Sequence, residues 1–183
     1  MLSIKIYFHF INAQGDKNKK DAASILNAWL ERMISIYILN SIAFTFVSWC
    51  IGLVLNNIIK KMPFYSKLSH FNFIKKEATY RAIGMSGFKW ILKNSFFKYF
   101  NQKLKFETRP SIAQLLEIRK EMTYSEIGHY IAFVFILVIT ILKLYNEQLM
   151  YATILCICNI IFNLYPSLLQ QQNKKRIDRI LKQ

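Results

Sequence analysis

The chain has 183 residues, of which 54% are hydrophobic and 15% aromatic, with a formal net charge of +15 at pH 7 and a mean hydropathy of +0.21. That balance lies on the membrane side of ordinary globular composition. The three cysteines, Cys50, Cys156 and Cys158, all fall inside apolar runs with no CxxC pair or Cys/His ligand spacing, which argues against a disulfide framework or a zinc site.

Residues 1–33 form an N-terminal lead-in: an apolar-aromatic scrap from Ile4 to Ile11, a polar stretch from Gly15 to Asp21, and a helical pattern from Ala22 to Arg32. Residues 34–59 carry no charge and are long enough to cross a hydrocarbon core of about 30 Å, which takes roughly 20 residues. They predict the first transmembrane helix. The run begins deep in the chain and shows no small-x-small pattern before Lys60 and Lys61, so it reads as a retained anchor and not as a cleaved signal peptide.

Residues 60–126 form a basic cytoplasmic or interfacial helical segment, too short and too charged to bury a large core of its own. Within it Phe88, Ile91, Leu92, Phe96, Tyr99 and Phe100 recur at helical spacing, with Lys89, Lys93, Lys98 and Gln102 between them. An amphipathic helix of that kind lies in the headgroup plane, the alternative being that it packs on the spans. Glu107 to Pro110 interrupts it, and Pro110 is expected to open the next helix with Thr108 or Arg109 near its cap. From Ser111 the pattern Ile112, Leu115, Leu116, Ile118 and Met122 leads into a second transmembrane helix at 127–145. A third follows at 149–170, and 171–183 is a basic cytoplasmic tail. With no strand-like alternation anywhere, the fold class is an all-α integral membrane protein with about three transmembrane helices and a basic amphipathic interfacial segment.

The cations concentrate in 60–126 and in the tail, whereas the turn at 143–148 holds only Lys143 and Glu147. By the positive-inside tendency the central segment and the C-terminus face the cytoplasm of a multi-pass cell-membrane protein. Topology and anionic membrane lipid, worth about 1 kcal/mol per surface-proximal cation, account for the basicity without a nucleic-acid partner.

Two constellations carry chemistry. Arg119, Glu121, Glu126 and His129 lie where the second span enters lipid, and Glu126 and His129, three apart, share a helix face. A carboxylate beside an imidazole raises its basicity, which suits a general base that takes a proton from a hydroxyl. A di-iron bundle would need a second Glu-x-x-His pair, so no metal is expected. His9 and His70 lie in ordinary surroundings. The second constellation is the exit of the third span, where Asn159, Asn163, Ser167 and Gln170 form a polar stripe. Pro166 is expected to kink that helix and free a carbonyl, and Asn173, Arg176 and Arg179 follow three apart. Such a stripe binds a sugar or head group, or holds the third span against the second. Tyr80, Arg81, Gly84, Gly87 and Lys89 match no phosphate-binding loop.

Arg119-Lys-Glu121 through Glu126-Ile-Gly-His129-Tyr130, then Asn163-Leu-Tyr165-Pro166 and Gln170-Gln-Gln-Asn173-Lys-Lys-Arg176, resembles the glycosyl-4,4'-diaponeurosporenoate acyltransferase family of small bacterial membrane proteins. The family's R-x-E…E-x-x-H and N-x-x-P…Q-x-x-N-x-x-R patterns cover roughly the second half of the chain, with a looser match from Tyr80 to Leu92. Where the family commonly has Trp after the histidine this chain has Tyr130, and where it has Arg after the first Gln this chain has Gln171.

The resemblance implies a membrane acyltransferase of staphyloxanthin-type carotenoid biosynthesis that moves a fatty acyl group to a hydroxyl of a glycosylated lipid or carotenoid. The donor would be an acyl thioester such as acyl-CoA or acyl carrier protein, and no cofactor is expected. On chemical grounds His129 and Glu126 are the expected catalytic residues. Arg119, Glu121, Asn163, Gln170, Asn173, Arg176 and Arg179 are the expected substrate-binding residues, the arginines holding donor phosphates. The alternative is a non-enzymatic helical subunit that binds lipid head groups or a partner membrane complex.

Overall fold

The computed structural model describes residues 16–70, 72–95 and 110–182. The Ile4 to Ile11 scrap with His9, the amphipathic pattern beyond Ser95, and the cap expected at Thr108 or Arg109 lie outside the described residues. The described chain is helical throughout: α1 (Asp16–Ile59), α2 (Tyr65–His70), α3 (Glu77–Ala82), α4 (Met85–Asn94), α5 (Ile112–Tyr145), α6 (Leu149–Asn159), a π-helical turn (Ile160–Leu164) and α7 (Tyr165–Ile180). Among the described residues there is no strand.

Among the described residues, three segments are long and apolar enough to cross a bilayer: Lys20–Ile59, Ile112–Tyr145 and Leu149–Ile180. This is an all-α membrane protein, as the charge-free runs lead one to expect. The helices continue well past those runs. α5 has 34 residues, so at 1.5 Å per residue it is roughly 51 Å long against a hydrocarbon core of about 30 Å. No helix end separates 60–126 from 127–145, and α7 likewise carries the third span as helix to Ile180.

The start of α5 differs from the expectation. Its N-cap is Ser111, whose hydroxyl accepts from the Gln114 backbone N–H at 3.2 Å, while Gln114 Oε1 accepts from the Ser111 N–H at 2.8 Å. This reciprocal capping box satisfies two helix-end donors at once, so Pro110 stands before the cap and not inside the helix.

Packing is centred on α5, which touches α1, α6, the π turn and α7. α1 turns its small and polar residues inward: Ser41, Thr45, Ser48, Gly52 and Asn56 are buried, whereas Leu39, Phe46, Val47 and Val54 are exposed. This inversion follows from the solvent. Lipid tails are as apolar as leucine, so a helix gains nothing by hiding apolar side chains and associates through close backbone approach and internal hydrogen bonds. Gly52 meets Gly128 of α5 at that crossing, where a Cβ on Gly52 would stand 2.5 Å from the Gly128 carbonyl oxygen.

Three buried clusters space the bundle. Ile136, Tyr151 and Leu155 pack near the α5–α6 turn, with Tyr37 stacked on Tyr151 at 4.6 Å. Tyr80, Met85, Leu168 and Leu169 join α3 and α4 to α7. Leu115, Met122 and Ile177 join the far ends of α5 and α7. Gly84, at φ +77°, makes the turn between α3 and α4 that a side chain would strain. Met85, Phe88 and Leu92 therefore face inward, and Trp90 and Ile91 stay exposed.

Gly52→Ala is expected to lower stability by about 1–3 kcal/mol through overpacking at the α1–α5 crossing. Gly87→Ala, which meets nothing within 4 Å, should raise it by roughly 0.4–1 kcal/mol. Unfolding of the purified variants in detergent checks both, and equal effects of the two substitutions would refute the crossing.

Candidate functional site

The centre of the polar machinery is an ion pair between two fully buried side chains, Glu126 on α5 and Lys174 on α7, with Nζ to Oε2 at 2.5 Å. Gln171, one turn before Lys174, donates from Nε2 to Glu126 Oε1 at 3.1 Å. Gln171 Oε1 in turn accepts from the Tyr80 hydroxyl at 2.9 Å and from the Ile74 backbone N–H at 3.1 Å. Burial, followed by the nearby Glu126 charge, pushes the Tyr80 phenol up, so it stays protonated and donates. Ser167 donates to the Glu126 carbonyl oxygen at 3.3 Å. Both carboxylate oxygens are thus bonded, the condition under which a buried ion pair is tolerated.

A second network lies deeper in the spans. The Trp49 indole N–H donates to Asn163 Oδ1 at 2.9 Å, Asn163 Nδ2 to Asn159 Oδ1 at 2.9 Å, and Asn159 Nδ2 to the Phe133 carbonyl at 3.0 Å. Asn56 donates to the Tyr124 carbonyl at 2.7 Å and accepts from Tyr65 at 3.1 Å. Each of these bonds joins different helices except the one between the two asparagines, which sit a turn apart across the start of the π turn.

Beside Trp49 and Tyr124 of this network lies a cavity of about 510 Å³, a size suited to one drug-sized ligand. Leu53 from α1, Phe88, Ile91 and Leu92 from α4, and Ile161, Phe162, Pro166 and Leu169 from the third span make its wall largely apolar. Trp49, Tyr124, Ser125, His129 and Gln170 supply the polar groups. The π turn runs directly into Pro166, which has no N–H to offer the Phe162 carbonyl, so the expected irregularity takes the form of a widened turn that faces this cavity.

The expected site residues divide. His129 and Gln170 share the cavity wall. The expected pairing of Glu126 with His129 is not made, because the carboxylate is held by Lys174 and Gln171. The polar neighbour of His129 is Asn163, its ring stands edge-on to Trp49 at 6.1 Å between centroids, and its Nδ1 is buried without a hydrogen-bond partner. Asn163 is fully buried in the amide network and not a cavity-lining group.

Arg119 is bound to both oxygens of Asp178 and to Ser69 at 3.0 Å, a strut between α5, α7 and α2. Arg179 is exposed and lies 3.8 Å from Glu77, which also accepts from Gln172. Glu121 is exposed, Asn173 is half-buried, and Arg176 is exposed. Sequence reasoning missed Gln171, Lys174 and Asp178. Their signal was available, since Ser167, Gln171 and Lys174 repeat at four and three on the face beside the one singled out. The 4-3-4-4 spacing of Ser41, Thr45, Ser48, Gly52 and Asn56 was legible in the same way.

The fold and the site define an all-helical membrane protein with a ligand-sized, largely apolar cavity and a histidine in its wall. A family model described as glycosyl-4,4'-diaponeurosporenoate acyltransferase matches residues 60–183. The chain belongs to that family, whose described activity is acyl transfer. Comparison with curated proteins and with solved structures returns no similar chain.

Lys174→Met leaves Glu126 as an unpaired buried charge and is expected to destabilise the fold by about 3–5 kcal/mol. Adding Glu126→Gln should recover most of that loss. Denaturation of the single and double variants measures it, and additive losses would rule out the pair as a unit.

Proposed function

We propose that the protein transfers a fatty acyl group from a thioester to a hydroxyl of a glycosylated lipid or carotenoid, with His129 as the general base. The observation that carries this reading is the position of His129. Its ring stands in the wall of an apolar cavity, and the nitrogen Nδ1 lacks a partner although buried polar atoms are nearly always paired. The family's acyl chemistry and the cavity's apolar lining support an acyl chain as occupant.

In the proposed step the acceptor hydroxyl oxygen attacks the thioester carbonyl carbon while His129 takes the hydroxyl proton. The carbon–sulfur bond then breaks, and His129 returns the proton to the departing thiolate, giving an ester and a free thiol. No group on the protein changes oxidation state or remains acylated. Glu126 contributes as a positioning residue, since its bonds to α7 and Gln171 fix the helix that bears His129. Gln170, beside His129 on the cavity wall, is suited to hydrogen-bond the sugar.

The basic central segment and C-terminal end support a cytoplasmic orientation of this site, the side on which thioesters are supplied. A cysteine at Lys182 should react with a membrane-impermeant maleimide in inverted vesicles and not in intact cells. The opposite pattern would reverse the orientation.

His129→Ala is expected to lower acyl transfer by at least about 100-fold with the folded protein retained. Mass spectrometry of products from an acyl thioester and a glycosylated carotenoid or glycolipid measures it, with size-exclusion behaviour as the folding control. Wild-type turnover by this variant would overturn the role of His129. Identical lipid and pigment extracts from cells with and without the protein would overturn acyl transfer itself.

A further inference from the structure

The three arginines expected to hold the donor's phosphates do not share one place or one state. Arg119 is taken up by Asp178 and Ser69, and Arg179 stands beside Glu77. Arg176 is different. Among the described residues it forms no salt bridge, and it lies on the α7 face that begins with Pro166, Leu169 and Gln170 in the cavity wall and continues through Asn173. Pro166, Gln170, Asn173 and Arg176 are three or four residues apart, so on a continuous helix they form one line that leads from the cavity out to the exposed end of α7.

The opposite wall supplies a second cation. α4 presents Phe88, Ile91 and Leu92 to the cavity and rests on α7 through the Phe88–Tyr165 ring contact at 5.1 Å. Lys89 follows Phe88 directly, is half-buried, and also forms no salt bridge among the described residues. Burial pushes its ammonium down from the usual value, and the charges of Arg176 and Lys93 act in the same direction. Glu77 is the acid that opposes them, and it is already engaged by Gln172 and Arg179. Two like charges on different helices, one of them partly desolvated, repel each other, and an anion between them relieves that repulsion.

We infer that Lys89 and Arg176 form an anion site at the α4–α7 edge of the cavity, and that its ligand is a phosphate of a phosphopantetheine-bearing acyl thioester whose acyl chain occupies the cavity. This deepens the acyltransferase reading and rests on it. Arg176 offers a planar fork that suits two phosphate oxygens, and Lys89 a compact point charge, a pairing that recognises phosphate without demanding one geometry. Gln170 and Asn173 lie between the cavity and Arg176, where the amides of a pantetheine arm would run. The site selects the donor by charge at one end and by apolar length at the other.

Coenzyme A and an acyl carrier protein both bring such a phosphate. The test measures binding of three probes to the full-length protein in lipid nanodiscs: lauroyl-CoA, lauroyl-acyl carrier protein, and uncharged lauroyl-pantetheine. Lys89→Gln and Arg176→Gln should each weaken a phosphorylated probe by about tenfold, the loss of one charge-assisted contact, and leave the pantetheine thioester unchanged. Arg176→Lys should restore part of the loss, and the phosphorylated probe affected identifies the source. Unchanged affinity for both phosphorylated probes, or an equal loss on all three, would overturn the anion site. Binding needs no turnover, so selective loss of the phosphorylated probe in a protein that forms no acylated product would refute the acyltransferase reading and leave the site standing.

Discussion

The rest of the structure depends on the requirement that Glu126, carried on a helix that crosses a bilayer, be fully paired where water does not reach it. A lone carboxylate in such a place would cost several kcal/mol, and no single neighbour offsets that. Lys174 supplies the opposing charge and Gln171 the second donor, but both are on another helix, so α5 and α7 must hold one register. Gln171 then needs donors for its own oxygen, and these come from Tyr80 and from the backbone before α3. One buried charge thereby fixes two spans and the loop segment that carries α4. The cavity exists because these elements have been placed around it.

What was legible in the sequence was what lipid imposes on composition. The charge-free stretches 34–59, 127–142 and 150–173 gave the number of spans, whereas the capping and breaking residues misplaced the start of α5. The interior was legible in part. Asn159, Asn163, Ser167 and Gln170 were expected to form one polar stripe on a continuing helix, but such spacing does not say which neighbour each residue meets. Asn163 turned to Trp49, Ser167 to the Glu126 backbone, and Gln170 to the cavity.

The pairing of Glu126 with His129 failed for a related reason. Residues three apart on a helix are neighbours only if neither finds a better partner, and a lysine forty-eight positions away at 2.5 Å is a better partner than an imidazole. Lys174 itself was read as part of a solvated basic tail, since a run of Lys and Arg carries no mark that one of its members is buried. With the carboxylate committed to Lys174 and Gln171, the histidine stands in a largely apolar wall beside Asn163 and Trp49.

The π turn deserves to be considered as a matter of phase. Each residue of an α-helix advances the side chains by about 100° around the axis, so the five residues from Ile160 to Leu164 determine the direction in which everything after them points. Loss of any one residue from that turn would leave the chemistry of Ser167, Gln171 and Lys174 intact and aim all three away from Glu126. The same rotation would carry Gln170 and Arg176 off the cavity line. At Ile160, Ile161, Phe162 and Leu164 the number of residues therefore holds more structural information than their identity, so these four should tolerate exchange of side chains far better than a change in length, whereas Asn163 is held by its bonds to Trp49 and Asn159.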